Sequence, residues 1–176
     1  MSERIERSRP LGSPVLRLLG TVVGVAAFCA YSRSWSDGPH LVYDITCALA
    51  VYSFLAQMLA EAVAARPDVD WFIRACAVAG MTVITVGREF GHWPISGHVT
   101  TVTATAIIQC VDARLPRLLR ALYWVPWPLA VCIRVVCFDH GWAEPLWLAV
   151  VLGGALGGGA VLMSRLCRVH LASNGE

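Results

Sequence analysis

Two short segments of the sequence combine histidines with residues that bind anions. In the first, Ser96, Gly97 and His98 follow Pro94 and open a long apolar run. If a helix begins there, its unpaired N–H groups and positive dipole end favour an anion such as phosphate. Ser96 can cap this helix or donate its hydroxyl to the anion, and Gly97 permits close backbone approach. His98 then lies where it can exchange a proton with the bound group.

The second segment runs from Arg134 to Glu144 and contains His140. Arginine presents a fixed fork of donors to phosphate oxygens, and an imidazole can attack phosphorus when a neighbouring carboxylate fixes its tautomer. His140 and Glu144 are four residues apart, and on a helix this spacing brings two side chains onto one face. We therefore expect these two residues to act as a pair beside an anion held by Arg134.

The composition indicates that a membrane protein positions these residues. Of the 176 residues, 57% are hydrophobic and 15% are charged, whereas soluble domains are about 45–50% apolar and about 25% charged. The length predicts one domain, 1–176. All 14 basic residues are arginine, and they form no basic stripe for nucleic acid. The seven cysteines include no Cys-x-x-Cys pair, so neither a disulfide framework nor a zinc motif is expected.

Six segments are apolar enough to cross the hydrocarbon core, which takes roughly 20 residues. The sequence thus predicts an all-α integral membrane fold with six transmembrane helices in one bundle, at roughly 11–32, 41–65, 71–87, 97–113, 118–138 and 144–164. The last span contains a glycine-rich stretch, 153–159, without the Gly-Lys-Ser/Thr of a phosphate-binding loop. Small residues at this spacing indicate close helix packing instead.

Arginine placement predicts the orientation of these spans. Eleven arginines lie on the side that holds both termini and three lie on the other, which favours cytoplasmic termini. The small size and the arginine-only basic set favour a bacterial plasma membrane. Both candidate segments then face outside, together with Arg88 and His92. Ionisable residues at membrane depth mark functional sites by default.

Arg88 and His92 are further candidates at that outer end. Arg88 is placed to add positive charge for phosphate, and His92 either joins the site as a proton donor or ligand or anchors its loop. Asp139 is expected to be a loop residue or a partner of Arg134. Asp44 and Glu61, which lie in or near apolar spans, are expected to be structural and to pair internally.

Taken together, the two segments resemble the type 2 phosphatidic acid phosphatase superfamily. Its second motif, P-S-G-H, is similar to Ser96-Gly97-His98, and its third, S-R-x5-H-x3-D, is similar to the segment from Arg134 to Glu144. The first motif, K-x6-R-P, has no counterpart because the chain has no lysine. Isoleucines replace the motif proline and serine, and glutamate replaces the aspartate.

The resemblance implies a mechanism and a set of roles. His140 would attack phosphorus to form a phosphohistidine while Glu144 orients it, and His98 would protonate the leaving alcohol. The residues that would hold the phosphate are Arg134, Ser96 and Gly97, with Arg88 in support.

We expect a lipid phosphatase that acts on a polyprenyl or glycerolipid phosphate or diphosphate and needs neither metal nor other cofactor. One alternative is a phosphotransferase with the same two-histidine site. Another is a non-catalytic or haem-binding six-span protein. Zinc bound by the three outer histidines and Glu144 is a weaker alternative, because zinc does not require two arginines beside it.

Overall fold

The computed structural model describes residues 13–32, 38–64, 68–112, 114–138 and 146–173. Helices account for 90% of this part of the chain, and it contains no strand, which confirms the predicted all-α class. Its seven helices, numbered in chain order, are α1 (Pro14–Ser32), α2 (Gly38–Ala64), α3 (Val69–Gly91), α4 (Gly97–Val111), α5 (Arg117–Leu122), α6 (Pro126–Phe138) and α7 (Leu146–Ser173).

Five helical segments are long and apolar enough to cross a membrane, consistent with an integral membrane protein. They are Pro14–Tyr31, Gly38–Ala64, Val69–Gly91, Arg117–Cys137 and Leu146–Leu171. The predicted fourth span is different, because α4 has only 15 residues, or about 22 Å at the usual helical rise. Ten of these residues are buried, and α4 packs against α2, α3, α6 and α7. The structure therefore shows a short, largely buried central helix at the predicted fourth span, and five helical segments of the described residues have the length and composition to cross a membrane.

Threonine hydroxyls let this central helix remain buried although it is rich in polar residues. Thr100, Thr103 and Thr105 each donate a hydrogen bond to the carbonyl four residues earlier, at 2.9, 2.7 and 2.9 Å. The Thr103 hydroxyl also accepts a 2.9 Å bond from Trp127 Nε1 on α6. Because these hydroxyls are satisfied, their burial does not leave unpaired polar groups in the core.

The glycine-rich stretch of α7 serves helix packing, as predicted. A Cβ added at Gly153 would lie 2.5 Å from the Thr100 carbonyl oxygen, and one at Gly157 would lie 2.7 Å from that of Ala104. Both distances are far below van der Waals contact. These two glycines, one helical turn apart, therefore bring the α7 backbone directly against α4.

The helices differ from the approximate predicted spans at three places. The predicted fifth span is two helices, since Tyr123–Val125 form turns before Pro126, which has no N–H to continue an α-helix. Helix α7 continues past residue 164 to Ser173, and α3 continues past residue 87 to Gly91. In both cases an arginine, Arg88 or Arg165, follows the predicted end, and a long arginine side chain can extend from within a helix to a polar region.

Candidate functional site

The loop from α3 to α4 is held against the end of α3. His92 follows α3 with a left-handed backbone, φ 52° and ψ 34°, and its N–H donates to the Gly87 carbonyl. Trp93 N–H donates to the same carbonyl at 3.3 Å. A Cβ at Gly87 would lie 2.6 Å from the Trp93 ring, so the ring lies directly on this glycine. The His92 side chain is exposed, and the structure places this residue as the helix cap of α3.

Ser96 caps α4, which was one of the two roles predicted for it. Its backbone is extended and its hydroxyl accepts a bond from Val99 N–H at 3.4 Å. The residue is only 1% exposed, and its hydroxyl lies next to that of Tyr43 on α2. Gly97 faces α3, where an added Cβ would lie 3.2 Å from Thr85 Oγ1. A small residue at position 97 therefore also allows α3 and α4 to pack closely.

His98 has a carboxylate neighbour that the sequence analysis treated as structural. Its Nε2 lies 3.9 Å from Asp44 Oδ1 on α2, with the two side chains 35% and 12% exposed. The imidazole also contacts the ring of Tyr43, with centroids 5.3 Å apart, and meets Phe28 edge-on at 5.8 Å. Burial and the positive charges of Arg88 and Arg134 oppose a charge on the imidazole, Asp44 favours it, and the two aromatic rings restrict its orientation. The available signal was an ionisable residue within an apolar span.

Two other helices bring positive charge within electrostatic reach of His98. Arg88 lies in the last turn of α3 and Arg134 lies in α6, and both are half-buried. Each is close enough to act electrostatically on His98 and on Tyr43. The structure thus brings together four of the predicted residues, Arg88, Ser96, His98 and Arg134, and adds Asp44; we refer to these five as the His98 site. His140 and Glu144, with Asp139, lie outside the described residues.

An apolar groove begins at the His98 site. Its first part is lined by Phe28, Cys47, Tyr52 and His98 among others. Its second part shares Val51, Tyr52, Thr85 and Thr101 with the first and continues to Met81 and Thr105. The groove therefore runs between α2 and α3 along one side of α4, from the polar end of that helix toward its middle.

A second polar cluster lies at the opposite end of α4, and we call it the Glu61 network. Its members come from α2, α3 and the loop after α4; they are Gln57, Glu61, Arg74, Asp112 and Arg114. Glu61 pairs with Arg74 at 2.8 Å and with Arg114 at 3.0 Å. Gln57 donates to Glu61 at 3.0 Å and to Asp112 at 3.2 Å. The prediction that Glu61 pairs internally is confirmed.

Asp112 and Arg114 hold each other in their charged forms. Arg114 Nε donates to Asp112 Oδ1 at 2.8 Å, and its Nη2 donates to Oδ2 at 2.5 Å. Burial acts to raise the pKa of Asp112, but the hydrogen bonds and positive charge of Arg114 outweigh it and hold that pKa below its ordinary value. Burial likewise opposes the charge of Arg114, yet Asp112 and Glu61 raise its pKa.

Within the described ranges, no three His, Cys, Asp or Glu side chains are grouped so that they could hold a metal ion. The zinc alternative included His140 and Glu144, which lie outside those ranges. No protein-family model, curated protein or solved structure matches the chain. The described residues thus form an all-helical protein with several helices long and apolar enough to cross a membrane, and a histidine, a carboxylate and two arginines lie toward one end of its central helix.

Proposed function

We propose that this chain is a membrane phosphatase that hydrolyses a lipid phosphate or diphosphate, of polyprenyl or glycerolipid type, at the His98 site. The observation that carries the proposal is the position of His98. It lies beside a carboxylate and within electrostatic reach of two arginines, and it also lines the mouth of an apolar groove. A phosphate ester of a lipid has the matching parts, an anionic group joined to a long apolar chain.

The charges around His98 suit a phosphate group. Arg88 and Arg134 lie on separate helices, so an anion between them would receive donors from two directions. The first turn of α4 adds the positive end of a helix dipole. The groove extends along α4 from His98 to Thr105, about 10 Å at the helical rise, which accommodates the first part of a lipid tail.

The proposed reaction has two steps, and the roles of His140 and Glu144 come from the family resemblance. In the first, an imidazole nitrogen of His140 forms a bond to phosphorus while the bond from phosphorus to the lipid oxygen breaks. His98 gives its proton to that oxygen, and the arginines stabilise the charge on the phosphoryl oxygens. In the second, water attacks phosphorus, the bond to His140 breaks, and His98 accepts a proton from the water as inorganic phosphate leaves.

Asp44 has a defined part in this scheme. Because its carboxylate is 3.9 Å from His98 Nε2, it stabilises the imidazolium from which the first proton comes. It does not touch the reacting phosphate in this assignment, so we describe it as a positioning residue. Glu144 would orient His140 in the same manner. The arginine distribution supports an orientation with this site outside and both termini in the cytoplasm of a bacterial cell.

A panel of lipid phosphates, tested on the purified protein in detergent with a metal chelator, tests the proposal. We expect release of inorganic phosphate from at least one lipid. His98→Asn should lower the rate by about 10²–10⁴-fold, the usual contribution of a general acid or base, and His140→Ala should abolish turnover. His170→Ala is the matched control, since His170 is an exposed histidine at the far end of α7, and it should leave the rate unchanged.

Four outcomes would redirect the assignment. Full activity of His140→Ala would show that another residue is the nucleophile, and loss of activity in chelator would show that a metal takes part. Phosphoryl transfer that requires an added lipid alcohol would identify a transferase instead of a phosphatase. A Soret band in the purified protein would identify a haem protein.

A further inference from the structure

A half-open cavity lies at the end of the fold opposite to the His98 site, between α3, α4 and α7. One part of its wall is apolar and consists of Ile108, Val111, Ala160 and Val161. The other part is charged. Neither part is used by the proposed phosphatase reaction.

The charges at this cavity leave one positive charge in excess among the described residues. Two of its arginines, Arg74 and Arg114, are occupied by the Glu61 network. Arg168 lies 3.8 Å from Asp70. Arg165 is exposed and forms no hydrogen bond or ion pair within the described ranges. The four cations are Arg74, Arg114, Arg165 and Arg168. The three anions are Asp70 and Asp112, which line the cavity, and Glu61, which pairs with Arg74.

Polarity changes along the cavity in the direction of the helix axis. On α7 the lining residues are Ala160 and Val161, then Ser164, then Arg165 and Arg168, a distance of about 12 Å from first to last. On α4 the apolar Ile108 and Val111 likewise precede the charged loop. A ligand that follows this wall must be apolar at one end and anionic at the other.

Helix α7, which forms one wall of the cavity, also has an exposed apolar side, so such a ligand can reach it from lipid. On that side Leu162, Leu166 and Val169 are 57%, 55% and 69% exposed, within a helix long and apolar enough to cross a membrane. Cationic pockets between membrane helices, next to such surfaces, are suited to phospholipid head groups.

We propose that this cavity binds the phosphodiester head group of an anionic phospholipid, with Arg165 and Arg168 as its donors. A phosphodiester carries a single negative charge, which offsets the single excess positive charge of the cavity. A zwitterionic phospholipid has the same phosphate, but its ammonium group would add a cation near two arginines. The first part of an acyl chain would lie against Ile108 and Val161.

The test measures thermal unfolding of the purified protein in detergent micelles as phosphatidylglycerol, phosphatidylcholine or inorganic phosphate is added. Phosphatidylglycerol should raise the unfolding temperature and phosphatidylcholine should not. Arg165→Gln should weaken the apparent affinity for phosphatidylglycerol by about fivefold, since one arginine near an anionic lipid contributes about 1 kcal/mol. Arg168→Gln should do the same. Arg117→Gln is the matched control, an exposed arginine on α5 that does not line this cavity, and it should bind as the unmodified protein does.

Arg165→Gln is the decisive variant, because removing Arg168 also breaks a contact with Asp70 and can lower stability by itself. Unchanged phosphatidylglycerol binding by Arg165→Gln overturns the proposal. If phosphatidylcholine raises the unfolding temperature as much as phosphatidylglycerol does, the net charge of the lipid does not matter, and the proposal is overturned as well. If inorganic phosphate alone produces the full effect, the cavity binds a free anion, and the assignment to a lipid is wrong.

Discussion

The two polar clusters at opposite ends of α4 differ in how completely their charges are paired. In the Glu61 network, the three ion pairs are 2.5–3.0 Å long and join side chains that are 8–10% exposed. In the His98 site, the pair of His98 with Asp44 is 3.9 Å long, and the imidazole is 35% exposed. A cluster whose charged groups are already paired stabilises the fold but has little charge left for a ligand. The looser and more open cluster can exchange a proton with a bound molecule.

The largest effect is expected from breaking the Glu61 network. Glu61→Gln removes the carboxylate that pairs with both Arg74 and Arg114, and loss of one partner of a buried pair costs about 3–5 kcal/mol. Denaturant unfolding in detergent measures this change. Glu89→Gln removes the same charge from an exposed position and should change the free energy of unfolding by less than about 0.5 kcal/mol. Equal stability of the two variants would show that the Glu61 network does not support the fold.

A smaller effect, on rate instead of stability, is expected at Asp44. Asp44→Asn keeps the size of the side chain but removes the charge next to His98. We expect phosphatase activity to fall by about tenfold to a hundredfold through kcat, because a charge partner at this distance contributes a few kcal/mol at most. The KM for the lipid and the unfolding midpoint should change little, and Asp44→Glu should restore part of the rate. A loss of stability with unchanged kcat would instead place Asp44 among the structural carboxylates, like Glu61.

The smallest effect is expected at His92. Substitutions there test whether this residue only caps α3 or also takes part in the reaction at the His98 site. His92 has φ 52°, a region that glycine adopts without strain, and a left-handed backbone costs other residues roughly 1–2 kcal/mol. His92→Gly should therefore raise the free energy of unfolding by up to about 1 kcal/mol and leave phosphatase activity unchanged. His92→Val, measured alongside, should lower stability. Loss of activity in His92→Gly without loss of stability would show that the imidazole takes part in the reaction.

The approach of Ser96, His98, Arg88 and Arg134 to one end of the fold followed from the sequence. Each residue lies at or near the end of an apolar run, and successive membrane-crossing helices alternate in direction, so their ends must meet at one surface. The helix cap at Ser96 and the packing role of Gly153 and Gly157 were predictable from local patterns. The break between α5 and α6 was not predictable, because the apolar run continues through the turn. The full length of α7 was not predictable either, because arginine side chains can extend from within a helix to a polar region.

The role of Asp44 was not predictable from its position in the chain. Asp44 and Glu61 lie near opposite ends of the same apolar helix, so the sequence could indicate the end at which each carboxylate lies but not which side chain it contacts. Asp44 lies beside the imidazole of His98, whereas Glu61 lies between the guanidinium groups of Arg74 and Arg114. These partners come from other parts of the chain.

Composition and the spacing of apolar runs by themselves determined that this protein is all-helical and membrane-like. They also determined which residues gather at the His98 end, because lipid requires long apolar helices with polar groups at their ends. Only the tertiary structure decided that α4 is a short central helix enclosed by the other helices. It also decided which carboxylate is paired completely and which stays open to a ligand. These outcomes depend on how helices pack side by side, and such contacts join residues that are far apart in the chain.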